Sequence, residues 1–143
     1  MKTSIQQKCW RAKSLTGGLL LTAVMLMATG CQESLEERCQ REAREYTKKH
    51  CPLRIDDYTV MDSMTFDKAS HTIGYIYTLH GAADDSAAIS KVQMHDLLLK
   101  EVRNSAHLKM YKEKGYSFRY TYYSAKTKGK RLLDTMLKAE DYR

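Results

Sequence analysis

"GYSFRYTYYSAKTKGKRLLDTMLK", residues 115–138, decides the fold. Tyr116, Phe118, Tyr120 and Tyr122 alternate with Ser117, Arg119, Thr121 and Tyr123. Successive side chains of a strand point to opposite faces, so this spacing predicts a strand with an aromatic inner face. Lys126-Thr127-Lys128-Gly129 supplies a turn, and Lys130 to Lys138 predicts the strand that pairs back. Gly115 stands where a short helix ahead of the hairpin, capped by Ser105, needs a left-handed residue after its last turn.

Working outward, Ile89, Val92, Leu99 and Val102 mark one face of a longer helix ending near Asn104, and Met94, Leu97 and Leu98 widen the arc. Asp85 or Ser86, at the end of a Gly81–Ser86 loop, is the expected cap of that helix. His71 to His80 alternates with Ile73, Tyr75, Tyr77 and Leu79 on one side. Asp67 to Ser70 is a hairpin-length turn joining it to a strand over Tyr58–Phe66, whose inner face the pattern leaves open. Earlier still, Ser34-Leu35-Glu36-Glu37 reads as a capping box. Leu35, Cys39, Ala43, Tyr46 and His50 follow at helical spacing until Pro52 ends the helix. Two hairpins separated by a helix imply an α+β domain over residues 34–143: an N-terminal helix and an antiparallel, about four-stranded sheet with helices on one face.

The first thirty residues are of another kind. Lys2, Lys8, Arg11 and Lys13 form a basic leader without acid, Leu19 to Ala28 is an apolar run, and Thr29-Gly30 places small residues before Cys31. That order predicts a secretory signal cleaved between Gly30 and Cys31. The ten-residue run spans only about 15 Å as a helix, half of a bilayer core. Without the leader the 143-residue chain falls from a net charge of +7 to +3, since four of its 24 basic residues and none of its 17 acidic ones leave. The high pI is therefore a poor argument for nucleic-acid binding.

Ala28-Thr29-Gly30-Cys31 resembles the lipobox of bacterial lipoproteins. The resemblance implies a mature N-terminus at Cys31, acylated on its thiol and bearing more than one acyl chain (palmitate among them), which makes the anchor stable. In that family Asp after the Cys retains the protein in the inner membrane; Gln32 here implies an outer-membrane destination, with residues 31–33 as a short tether. The segments "CPLRIDDYTVMDSMTF", "IGYIYTLH", "GYSFRYTYYSAKTKGK" and "AEDY" resemble a family of small uncharacterised exported bacterial domains, which brings no activity with it.

Motifs for chemistry are few. Cys39 and Cys51 lie about 18 Å apart along a straight helix, too far for a disulfide. None of the five histidines is spaced i,i+4 with another, so neither a metal site nor a cofactor is expected. No nucleophile motif, P-loop or EF-hand loop occurs, and a catalytic role is not expected. Basic and aromatic residues mix at Lys112, Lys114, Arg119, Tyr123, Lys126, Lys128 and Lys130. Buried strand faces and solvated turn lysines account for that mixture first; a contact patch for anionic lipid or glycan comes second, and nucleic acid a distant third. The expectation is a lipid-anchored, non-enzymatic accessory or binding protein facing an envelope partner. The alternative is a small inhibitor of a hydrolase such as lysozyme or a protease, with Gly81–Ser86 as its plug.

Overall fold

The computed structural model describes residues 33–87 and 89–143. The leader, the cleavage position Gly30–Cys31, the acylation site Cys31 and Gln32 lie outside the described residues. Among those described, no helix is long and apolar enough to cross a membrane.

Helix α1, Leu35–His50, begins on the predicted capping box: Ser34 Oγ accepts from the Glu37 amide at 3.1 Å, and Glu37 accepts from the Ser34 amide at 3.0 Å. It ends at Pro52, joined to Cys51 by a cis peptide bond. Strands β1 (Leu53–Arg54), β2 (Thr59–Asp67) and β3 (Thr72–Leu79) follow. A 3-10 turn at Gly81–Ala83 leads to helices α2 (Lys91–Asn104) and α3 (Lys109–Glu113). Strands β4 (Ser117–Ser124) and β5 (Arg131–Leu137) and a short closing helix α4 (Ala139–Tyr142) complete the chain. The cap of α2 is Ser90, not Asp85 or Ser86, so that helix starts later than its apolar spacing suggests.

The sheet corrects the expected one in two respects. It has five strands in the order β1-β2-β3-β4-β5, and β3 pairs with β4 in parallel; the other pairs are antiparallel. The reason lies in the connection. Between Leu79 and Ser117 the chain carries α2 and α3, long enough to return to the end of the sheet where β3 began. The two hairpins are therefore linked by a crossover instead of a meander. The extra strand, β1, is two residues long and too short to leave a periodic signal.

The parallel register sets Ile73 beside Phe118, Tyr75 beside Tyr120 and Tyr77 beside Tyr122. Rings aligned this way stack: Tyr75 on Tyr120 at 5.0 Å and Tyr77 on Tyr122 at 4.8 Å between centroids. On β2 the register shifts between Met61 and Ser63. The bulge breaks the alternation and brings Met61 onto the same face as Met64 and Phe66, which explains why no inner face was legible there. The helices pack on this one aromatic face, as expected, around a core of Cys39, Ile73, Val102, Phe118 and Leu137.

Candidate functional site

Helix α2 is fixed at its C-terminal half, where Leu98 and Val102 are buried. Lys112 on α3 donates to the carbonyls of Val102 and Arg103, both at 2.8 Å, and satisfies acceptors the helix end leaves open. Arg103 in turn reaches the Asp141 carbonyl. The first turns are held more lightly, by the Ser90 cap on the Gln93 amide and a partly buried Met94, and there Val92 is 71% and Leu97 53% exposed. Between these turns, the sheet and the β1–β2 connection lies a cleft of about 560 Å³.

Its floor is Tyr77, Leu79, Tyr120 and Tyr122, and its walls are Met94, Leu97 and Leu98 on one side and Ile55 on the other. Ile55 is 52% exposed. The β1–β2 connection is held in place by Asp56, whose carboxylate accepts from the Tyr58 amide at 2.8 Å, and by the Ile55 amide bonded to the Thr59 carbonyl. Among the described residues the cleft's charged lining is acidic, Asp56 and Glu101. The Tyr58 amide bond keeps the Asp56 carboxyl below its usual range, so it is ionised at neutral pH. Burial pushes the Tyr122 phenol up to about 12, helped by the charges of Glu101 and Asp56, and burial raises Tyr77 and Tyr120 as well. The floor therefore offers neutral hydroxyls as donors beneath two negative groups.

The phenols that donate within the protein are elsewhere, among the described residues: Tyr111 to Glu42 at 2.8 Å, Tyr116 to Glu36 at 3.1 Å, and Tyr142 to the Tyr116 carbonyl.

The residues singled out as a basic contact patch sit at the end of α2, on the outer sheet face, in the β4–β5 turn and beside Gly115. Lys112 is bound to the end of α2. Arg119 lies on the outer sheet face, bidentate to Asp134 at 2.8 and 2.6 Å, and Arg131 and Thr121 bond the same carboxylate, which they hold far below the usual range. Lys126 is tied to the carbonyls of Gly81 and Asp84. Lys128 and Lys130 are exposed in the β4–β5 turn, Lys114 is exposed beside Gly115 near the start of β4, and Tyr123 is half-buried on the outer face. The Gly81–Ser86 segment is likewise fastened: Asp84 is buried and accepts from the Lys126 amide at 2.7 Å.

Among the described residues the two thiols, Cys39 and Cys51, are free. Cys39 is buried in the core, where desolvation raises it to about 11, and Cys51 sits at the far end of the helix. His50 closes α1 against Tyr46, and His71 and His80 flank β3. No group of three metal-ligating side chains occurs among the described residues.

The sequence did not single out the cleft, although it held one signal. Ile89, Val92, Met94, Leu97, Leu98, Leu99 and Val102 form an apolar arc wider than one packed helix face can bury, so part of it had to be left uncovered.

Residues 34–133 match the model of a family described as "Domain of unknown function (DUF8479)". No curated protein matches the chain. Among solved structures, a Pseudomonas aeruginosa protein described as secreted superposes with a TM-score of 0.61 at 12% identity, covering 77% of this chain and 98% of that one. The pilotin EpsS of the Vibrio vulnificus type 2 secretion system gives 0.59 at 12% identity, covering 76% and 91%. The type II secretion system pilotin AspS of Vibrio cholerae gives 0.55 at 14% identity, covering 74% and 90%. At these identities the likeness is one of fold.

Proposed function

We propose, for a chain that belongs to the family described as Domain of unknown function (DUF8479), an accessory role at the outer membrane: a lipid-anchored, non-enzymatic protein that docks an apolar segment of an envelope partner in the cleft beneath α2. The observation that carries the docking role is the open cleft with its tyrosine floor. Concave, mostly apolar sites with a few convergent polar groups are the usual form of a binding site. Asp56 and Glu101 favour a segment that carries a Lys or Arg beside its apolar residues.

The anchor rests on Ala28-Thr29-Gly30-Cys31 and its leader, and the outer-membrane destination on Gln32. A helper role, as opposed to a catalyst, is our reading of apolar walls over a tyrosine floor, a surface suited to holding a segment. Two of the similar folds being pilotins of type 2 secretion systems suits the same reading.

A photo-crosslinking side chain tests it. Placed at Leu97 in living cells it should give one discrete adduct, absent when placed at Met136, an exposed position on the outer sheet face. Ile55→Glu, which adds a third carboxylate at the cleft mouth, should abolish that adduct. Equal adducts at Leu97 and Met136 would defeat the proposal.

A further inference from the structure

We propose that the domain stands on the membrane in one orientation, with the start of α1 and the β2–β3 turn against the lipid and the cleft opening away from it. The inference rests on acylation of Cys31 and adds the geometry of the residues that follow. Only Gln32 separates Cys31 from Glu33. Glu33 is clamped back onto the helix by Arg41, Nε to Oε1 at 2.8 Å and Nη2 to Oε2 at 2.9 Å. Ser34 is held in the capping box. At about 3.5 Å per extended residue, the Cα of Cys31 lies within about 7 Å of that of Glu33. An anchor this short restricts tilt as well as distance.

What shares that end of the domain is fixed by contacts. His71, in the β2–β3 turn, lies 3.7 Å from the Glu36 carboxylate, and Tyr116 donates to the same carboxylate. The Ser117 amide bonds the His71 carbonyl at 3.1 Å. The β2–β3 turn and the start of β4 therefore sit beside the first turn of α1. From there β3 and β4 run in parallel away from it, and at about 3.3 Å per residue their ends, Leu79 and Ser124, are about 23 Å further on. The cleft residues Tyr77, Leu79 and Tyr122 belong to that far half, and Lys128 lies in the turn beyond.

The near end mixes Lys68, His71 and Lys114 with Asp67 and Glu36, so the short tether and not surface charge sets the orientation. A partner segment then reaches the cleft from the aqueous side.

The test uses the acylated full-length product in phosphatidylcholine vesicles that carry a headgroup quencher. A fluorophore is attached at Lys68→Cys or Lys128→Cys, each in a Cys51→Ala background. Quenching should be about threefold stronger at position 68, given the length of the strands between the two sites. Anionic vesicles should give the same ratio. Inserting about ten Gly/Ser residues between Gln32 and Glu33, a chain that spans about 18 Å, should bring the ratio close to one. Equal quenching without the insert, in protein whose mass includes the acyl chains, overturns the orientation and leaves the anchor standing. Missing acyl mass on Cys31 overturns both.

Discussion

The two long helices treat the same aromatic sheet face in opposite ways. Helix α1 meets it through Cys39 and Ala43, each 1% exposed and small enough to let the helix come close. Its Glu36 and Glu42 accept from the phenols of Tyr116 and Tyr111, and Thr47 bonds the backbone of β2. Helix α2 buries only Leu98 and Val102 against it, with Met94 and Leu99 partly buried beside them, and Leu97 is left exposed at the cleft above Tyr77 and Tyr122. Both halves of the face carry stacked aromatic rings. What differs is the residue size and hydrogen bonding on the covering helix, and that difference turns one half into core and leaves the other as a site.

Three comparisons would break or sharpen this contrast. The largest effect belongs to the sealed half: Phe118→Ala removes a fully buried ring and should cost about 3–5 kcal/mol in urea denaturation, whereas Leu97→Ala over the cleft should cost less than about 0.5. Similar losses would show that α2 is anchored along its whole length. Next, Thr47→Val deletes both bonds to Met64 and should cost about 1–3 kcal/mol, with faster hydrogen exchange at the Met64 amide. An unchanged exchange rate would contradict the seal. The finest comparison is Tyr116→Phe, which deprives Glu36 of a donor and should cost about 1 kcal/mol, against Tyr122→Phe, which should leave the melting temperature nearly unchanged. A matching shift in both would place the Tyr122 hydroxyl in the protein's own network.

Local signals in the sequence located most of this fold. The capping box at Ser34 and Glu37, the alternation in β3 and β4, and Gly115 at φ 77° after α3 each depend on neighbours a few residues away. The parallel pairing of β3 with β4 does not. Two hairpins around a helix satisfy the same periodicities whether they join as a meander or through a crossover, and only long-range packing decides between them. Lys112 looked like a surface charge because its spacing cannot reveal the α2 carbonyls it reaches. Likewise, the sequence predicts an apolar α2, but how much of that helix finds a partner is a matter of tertiary fit. The candidate site is therefore the part least legible in the sequence: it exists where a predicted element stops packing.

Thr47 has a wider consequence. Strand β1 pairs with β2 only opposite Val60 and Met61, so among the described residues most of that sheet border has no strand beyond it. At Met64 the Thr47 hydroxyl fills the gap, donating to the carbonyl at 2.9 Å and accepting from the amide at 2.8 Å. A second copy approaching this border to extend the sheet finds the rung already taken. One small hydroxyl thus occupies, from within the same chain, a rung that a neighbouring copy would otherwise use to lengthen the sheet.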